Sequence, residues 1–297
     1  MATGITVSTT SNLESGQWIQ IAAAREAFET ASADPELISS ESIPGGSKAW
    51  EILTYERLSV GSALTEGTDY GAASAAQQLV AATVTVTPSE HGVMVALSKV
   101  AQRRQPGSLE ATTGRLMGIS LRARQATDVT TLYDGFSKSI IGAGNAMDIT
   151  HIRGAVAYLM TDNTASYGPA PMPYRASFHA EQISDIIVDL TDAGARVGGV
   201  EQGLSADLVT RWWRGNDRAY GVQIFNSGYL SQSSNTAKGG LFAETALVMV
   251  MEGETEPTTE EDTSNRLIEY GLFQSWGESE IADSHGIEVA SDVTATV

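Results

Sequence analysis

The feature that most constrains the fold is a pair of strand-forming segments separated by a stretch of small residues. The first runs from Ser47 to Val60, and the second, Leu79 to Thr87, is the strongest β signal in the chain. Between them, Leu64 to Ala76 is mostly glycine, alanine, serine and threonine. This order predicts a long β-hairpin with a glycine-containing tip.

The hairpin is followed by a turn, a short strand and a long helix. The turn is predicted at Thr87 to Gly92, and Val93 to Ser98 reads as a return strand at the foot of the hairpin. Ser108 is a favourable N-cap, and Glu110 favours a first helical turn. Apolar residues at helical spacing predict an amphipathic helix over 109–134, which is about seven turns.

The rest of the chain alternates shorter elements. Helices are predicted from His151 to Met160 and from Ala180 to Ala195. Strands are predicted at Ala176–Phe178, Tyr220–Leu230, Leu241–Met251, Asn265–Trp276 and Ile287–Ala290.

Composition excludes several classes of protein. The 297 residues contain no cysteine, which excludes disulfide bonds, thiolate zinc sites and cysteine nucleophiles. The first ten residues lack a basic and apolar leader, and no apolar stretch is long enough to cross a bilayer. With 42% hydrophobic and 18% charged residues, the chain is predicted to be a soluble globular protein without a membrane partner.

The net charge of −18 opposes direct binding of a polyanion, because such binding relies on basic side chains that displace counterions. One interpretation is a container whose wall does not adhere to its contents. The alternative is that the acidity serves only solubility or reflects the ionic habitat of the source.

No arrangement of residues matches a known catalytic or cofactor-binding motif. The four histidines, His91, His151, His179 and His285, are scattered and lack metal-ligand spacing. A triad of a serine with His179 and Asp185, formed only in the folded chain, stays open as the basis of a hydrolase. We therefore predict no catalytic residue, no cofactor, no metal ion and no enzymatic activity.

Two further clusters have two readings each. The acidic run Glu252, Glu254, Glu256, Glu260, Glu261 and Asp262 could bind a divalent cation, but a solvated loop is favoured because calcium-loop spacing is absent. Trp212 and Trp213, flanked by Arg211 and Arg214, could stack on nucleobases or on a partner. Burial of at least one ring in a core or a subunit interface is favoured.

The order of elements resembles the major capsid proteins of tailed phages, which have the Hong Kong 97-type (HK97-like) fold, and among them the N4-like group. The most similar stretches are Trp50 to Ser98, ending Gly92-Val-Met-Val-Ala-Leu-Ser98, and Ala180-Glu-Gln-Ile-Ser-Asp-Ile-Ile. The resemblance covers nearly the whole chain and rests on architecture, not on a short motif.

The resemblance implies an α+β fold with four parts. These are an N-terminal arm over 1–46, an extended hairpin arm (E-loop) over 47–105, a peripheral domain over 106–164 and 241–297, and an axial domain over 165–240. The spine helix of the peripheral domain would be 108–135. A projecting hairpin cannot bury both faces on its own domain, so a neighbouring subunit must cover it.

The resemblance further implies a shell subunit. It would assemble with itself into hexamers and pentamers of an icosahedral capsid that encloses double-stranded DNA without sequence-specific binding, in a virion assembled in the host cytoplasm. Scaffold, portal and any decoration proteins would be separate chains. Inter-subunit contacts are expected at Trp50, Tyr55, Arg57, Glu66, Tyr70, Arg103, Arg104, Trp212 and Trp213.

Two details qualify this expectation. The four lysines, Lys48, Lys99, Lys138 and Lys238, lie outside 61–78, so the isopeptide bond that locks some related shells is not expected. Because the hairpin begins near residue 47, no cleaved N-terminal scaffolding region is expected either. An encapsulin-like compartment that encloses protein cargo is the close alternative.

Overall fold

The computed structural model describes residues 7–8, 34–43, 48–58, 79–104, 109–142, 144–161, 167–196, 218–233 and 235–293. The helices are α1 (Asp34–Leu37), α2 (Lys99–Arg104), α3 (Leu109–Leu132), α4 (Ile149–Thr161) and α5 (Ala180–Arg196), with 3₁₀ turns at Tyr133–Gly135 and Asp283–His285. The strands are β1 (Val7–Ser8), β2 (Ser39–Ile43), β3 (Trp50–Tyr55), β4 (Ala81–Val86), β5 (Ser89–Ser98), β6 (Ser139–Ile141), β7 (Tyr174–Phe178), β8 (Arg218–Ala219), β9 (Val222–Asn226), β10 (Gln232–Ser233), β11 (Thr236–Ala243), β12 (Leu247–Asp262), β13 (Leu267–Glu280) and β14 (Gly286–Asp292). None of the helices in these ranges is long and apolar enough to cross a membrane.

The predicted hairpin is confirmed as a separate two-stranded sheet. β3 and β4 pair antiparallel, from Trp50 opposite Val86 to Tyr55 opposite Ala81. Its predicted tip lies outside the described residues. The predicted return strand is also present, but it begins at Ser89, so only Thr87 and Pro88 form the turn.

A five-stranded sheet has the order β1-β5-β13-β12-β2. β12 and β13 form a long antiparallel hairpin, and β5 extends it along β13. The two N-terminal strands, β1 and β2, close opposite edges by parallel pairing. The long helix α3 is confirmed and packs on one face of this sheet, where Leu121 and Val129 join the buried Trp276.

A second sheet of seven strands has the order β6-β14-β11-β7-β9-β8, and β10 pairs with β11. Helices α4 and α5, both confirmed, contribute Ile152, Leu159, Ile183 and Ile186 to the core that covers it. The sheet includes β6 and β14 from the range assigned to a peripheral domain and β7 and β9 from the range assigned to an axial domain. The four-part division of the chain stays a prediction.

Three local predictions are wrong, and the first is the strand predicted over Tyr220–Leu230, which is confined to Val222–Asn226. The apolar run Leu241–Met251 is not one strand, because the chain turns at Glu244 and Thr245 and the Ala246 N–H donates to the Ala243 carbonyl at 3.0 Å. Both parts of this run are rich in hydrophobic residues because the strands before and after the turn are buried.

The acidic run at 252–262 is a strand, not a loop. Its distal part, from Glu256 to Asp262, pairs with β13 and lies beyond the reach of β2, whose pairing ends at Glu252. An edge strand tolerates exposed charges, and such charges also discourage unwanted pairing with other strands.

Candidate assembly surface

The inner face of the β3–β4 hairpin packs on its own chain. Side chains alternate across the two strands, so Trp50, Ile52 and Val84 point to the same side as the buried Val86. They meet a small core that includes Val248 of β12. This contact accounts for one face of the hairpin.

The outer face of the hairpin carries large exposed hydrophobic side chains. Leu53 is 53% exposed and Tyr55 is 52% exposed. Just beyond the ends of the two strands, Leu58, Leu79 and Val80 are 54%, 57% and 46% exposed, and the pairing of Val80 with Glu56 places Val80 on the inner side of the hairpin. Apolar side chains grouped at one place on a surface indicate a contact site, since scattered ones are ordinary and a grouped set is not.

The hairpin is held at both ends by specific contacts. At its foot, a Cβ on Gly277 would lie 3.0 Å from the Thr87 carbonyl oxygen, so the glycine permits close approach to β13. Further out, the Thr54 hydroxyl donates to the Ala82 carbonyl at 3.1 Å and lies 3.2 Å from the Tyr167 hydroxyl. These contacts fix the direction in which the outer face points.

The structure places the sequence-predicted contact residues in different settings. Trp50 is half-buried, and its indole N–H donates to Glu41 Oε2 at 2.6 Å within the chain. Tyr55 lies on the outer face of the hairpin, and Arg57 lies over Gly168, where a Cβ would come within 3.3 Å of Nη1. Four of the predicted residues lie outside the described residues: Glu66, Tyr70, Trp212 and Trp213.

The other two predicted contact residues, Arg103 and Arg104, are exposed at the end of α2. This helix continues directly from β5 and is anchored by the Ala101 N–H, which donates to the Ser98 hydroxyl at 3.1 Å. The two guanidinium groups therefore lie at the end of the five-stranded sheet where β5 ends, at Ser98.

The N-terminal segment 34–43 ties the body together. The buried Asp34 carboxylate accepts hydrogen bonds from Ser177 Oγ at 2.6 Å and from Ser227 Oγ at 2.5 Å. Arg122 of α3 donates from Nη2 to Glu36 Oε1 at 2.7 Å. The segment thus links the long helix to the seven-stranded sheet, while β2 pairs with the five-stranded sheet.

Burial shifts several pKa values around this segment. Desolvation lowers the pKa of Arg122, and the carboxylates of Glu36 and Asp34 oppose that shift. Desolvation and the Asp34 charge raise the pKa of the fully buried Tyr133 well above its usual value. These groups are enclosed by the fold and play a structural part.

The histidines serve local structure. His285 is buried, and its Nδ1 lies 2.8 Å from Thr245 Oγ1. His91 stacks on Trp276 with ring centroids 4.1 Å apart. The Glu181 N–H donates to His179 Nδ1 at 3.3 Å, at the start of α5. The described ranges contain no group of three or more His, Asp or Glu side chains that could hold a metal ion.

The acidic run ends in a tight turn that its own polar groups satisfy. Asp262 Oδ1 accepts from the Ser264 hydroxyl at 2.7 Å and from the N–H groups of Ser264 and Asn265 at 2.9 and 3.0 Å, and these bonds, the hydroxyl bond above all, lower the pKa of Asp262 to about 2. One residue before this turn, Glu261 forms an ion pair with Lys99.

Sequence reasoning missed most of the exposed apolar set. Leu53, Leu79 and Val80 have side chains that favour strands, but residue type alone does not tell which face of a strand a side chain takes. One sequence signal could have identified Leu53. Side chains of a strand alternate between two faces, and here both faces carry large apolar residues: Trp50 and Ile52 on one, Leu53 and Tyr55 on the other.

Neither a protein-family model nor a curated protein sequence matches the chain. Solved structures do match. The capsid chain of Helicobacter pylori bacteriophage KHP30 aligns with a TM-score of 0.67 at 14% identity, covering 98% of this chain and 99% of that one. The capsid of Ralstonia phage GP4 aligns with a TM-score of 0.66 at 11% identity, covering 91% and 92%.

An encapsulin matches equally well. The holo-SrpI encapsulin complex from Synechococcus elongatus aligns with a TM-score of 0.64 at 10% identity, covering 94% of this chain and 98% of that one. The alignments extend over nearly the full length of both partners, so they concern the whole fold. The chain therefore has the mixed helix-and-sheet fold that these phage capsid and encapsulin chains share, as the order of its elements predicts.

Proposed function

We propose that the chain is a major capsid protein, a structural subunit that assembles with itself into the closed shell of a virion. The observation that carries the proposal is the β3–β4 hairpin, which packs one face on its own body and leaves Leu53 and Tyr55 exposed on the other. A two-stranded sheet with one uncovered apolar face is marginal alone, so a neighbouring subunit is its natural cover. The shared fold of phage capsid chains supports the same assignment.

The finer parts of the proposal follow the family resemblance. Subunits would form hexamers and pentamers of an icosahedral shell, assembled in the host cytoplasm around double-stranded DNA with separate scaffold, portal and decoration chains. The net charge of −18 favours a wall that does not adhere to the DNA it encloses. Membership of the N4-like group, the division into arm, hairpin, peripheral and axial parts, and the absence of enzymatic activity belong to this proposal.

The test is electron microscopy of the purified full chain, alone and co-expressed with a candidate scaffold. We expect closed, uniform shells. A population that remains monomeric or forms only small oligomers under both conditions would contradict the proposal. Hydrolysis of ester or peptide substrates by such a small oligomer would favour the hydrolase alternative.

A second candidate function is a compartment that encloses protein cargo. The observation that favours it is the full-length match to the encapsulin chain from Synechococcus elongatus. The contents of native particles separate the two. Nuclease-protected double-stranded DNA supports the capsid, and a stoichiometric enzyme without DNA supports the compartment.

A further inference from the structure

A recess lies on the face of the five-stranded sheet opposite α3. Its acidic and aromatic lining residues share this face by register, because Glu256 pairs with Phe273, and Glu252 and Glu90 both pair with Ser275. The register of β12 shifts between Glu252 and Glu256, which opens a recess of about 380 Å³ there.

The floor of the recess is an aromatic ring held on two glycines. A Cβ on Gly92 would lie 2.6 Å from Phe273 Cε1, and a Cβ on Gly271 would lie 2.6 Å from Phe273 Cε2. The ring is therefore seated between neighbouring strands, with the carboxylates of Glu90, Glu252 and Glu256 around it. Aromatic faces and carboxylates both attract a guanidinium group, through cation–π contact and charge-assisted hydrogen bonds.

No described cation of the same chain pairs with these carboxylates. The described ion pairs that include a glutamate use Glu36, Glu244, Glu261 and Glu288. Glu90 and Glu256 are exposed, and Glu252 is half-buried. The recess is thus a site of negative charge with an apolar base, set beside the foot of the hairpin over Gly277.

The matching group lies at the other end of the same sheet. From Glu90 to Ser98 the chain runs along β5 for about 26 Å, and α2 then presents the exposed Arg103 and Arg104. Within the described ranges, no carboxylate forms an ion pair with either arginine. No described ion pair joins the two patches within one chain, so both are available to a second copy, and two copies can meet head to tail.

We infer that Arg103 and Arg104 of one subunit enter the Glu90–Glu252–Glu256 recess of the next. This inference rests on the proposed function and identifies one interface of the shell. Because the two patches differ, the contact is heterologous, which is the type that closes rings of subunits. Arginine suits the recess better than lysine, since its planar guanidinium stacks on an aromatic face and binds carboxylates in pairs.

The first test is a charge swap in the full chain. We expect Arg103→Glu with Arg104→Glu, and separately Glu252→Lys with Glu256→Lys, to reduce the fraction of protein in sedimenting shells at least tenfold. Combining all four substitutions restores opposite charges and should recover most of the assembly. Arg153→Glu, at an exposed position on α4, is the matched control and should assemble like the wild type.

Cross-linking provides a second test that does not depend on how the swapped variants fold. The chain has no cysteine, so Arg104→Cys with Glu256→Cys supplies the only two thiols. A short bis-maleimide should give intermolecular multimers with this variant. A mixture of the two single variants, Arg104→Cys and Glu256→Cys, should give cross-linked dimers and no larger species.

Several outcomes overturn the inference. The first is that both double variants assemble as well as the wild type. The second is that the fourfold variant does not recover assembly although each double variant folds. The third is that the two thiols form only intramolecular cross-links. If the wild type forms no shells at all, the proposed function fails, and cross-linking of small oligomers still decides the interface.

Discussion

At the scale of single residues, the acidic side chains of this protein have two different roles. Among those with described side chains, nearly all are exposed or half-buried and set the charge of the surface, but Asp34 is 2% exposed and accepts hydrogen bonds from two buried serines. Burial of a carboxylate is costly unless hydrogen bonds satisfy it. Asp34 therefore fixes the N-terminal segment to β7, which carries Ser177, and to the segment after β9, which carries Ser227.

Replacing Asp34 by alanine should destabilise the folded subunit. Each hydrogen bond to a charged group contributes about 1.5–3 kcal/mol, so we expect Asp34→Ala to lower the free energy of unfolding by about 3 kcal/mol. Urea unfolding of the monomeric subunit measures this. The control is Glu244→Ala, an exposed acid 3.9 Å from Arg175, for which less than about 1 kcal/mol is expected. Equal losses in both variants would contradict the proposed role of Asp34.

Glu280 makes stability depend on pH. Desolvation, with a contribution from Asp283, raises the pKa of Glu280 from 4.5 to about 7. Between these values the folded chain holds more protons at this group than the unfolded chain does, so stability falls as the pH rises through this window. We expect Glu280→Gln to flatten the fall in melting temperature between pH 4.5 and 7 and to melt higher than wild type at pH 8. An unchanged pH profile would exclude this role.

At the scale of elements, the β3–β4 hairpin is stabilised from one side only. Its inner face joins the small core with Val248, while its outer face has no described cover. The same strand thus carries one side chain that serves folding and, one residue later, one that we propose serves assembly. Ile52 and Leu53 are such a pair.

This pair gives a matched comparison between the two faces. Leu53→Ser should leave the free energy of unfolding of the subunit within about 0.5 kcal/mol, because the side chain is already exposed. Ile52→Ser should cost about 1.5–3 kcal/mol, because it removes apolar surface from the core. Conversely, Leu53→Ser with Tyr55→Ser should reduce shell formation in sedimentation assays. Assembly that is insensitive to this double change would contradict the assembly role of the outer face.

Helix α3 was predictable because its local signals agree over many residues. Ser108 and Glu110 favour its start, and no proline interrupts the segment that follows. Helix α2 was missed because six residues are too few to show a helical period. The strand at 252–262 was missed because charge favours solvent but does not exclude an edge strand.

At the scale of the whole molecule, the shell is expected to hold together without covalent bonds. Two of the four lysines are engaged within the subunit: Lys99 pairs with Glu261, and Lys238 pairs with Asp134. A third, Lys138, lies 5.0 Å from the centre of the Tyr158 ring. Such contacts leave these ammonium groups tied to their own chain.

Boiling mature shells in denaturing detergent should therefore release a single band at the position of the monomer. The measurement is a denaturing gel of purified particles, with chemically cross-linked particles as the reference for a ladder. A ladder from untreated shells would show covalent links between subunits and would contradict the prediction.

The sequence by itself determined the mixed helix-and-sheet class of the fold and the order of most of its elements. Absence of cysteine, net acidity, the hairpin Trp50–Val86 and the helix from Leu109 are local properties, written in residue types and short periods. They were enough to indicate the fold that the capsid and encapsulin chains share.

Only the tertiary structure decided which strands pair and which faces stay open. β1 and β2 lie at opposite edges of one sheet, and β14 joins β6 and β11. These pairings connect residues far apart in sequence, and strand register is set by burial that no local pattern specifies. The same long-range pairing sets Glu90, Glu252 and Phe273 around one recess. That is why this recess, unlike the hairpin, could not be read from the sequence.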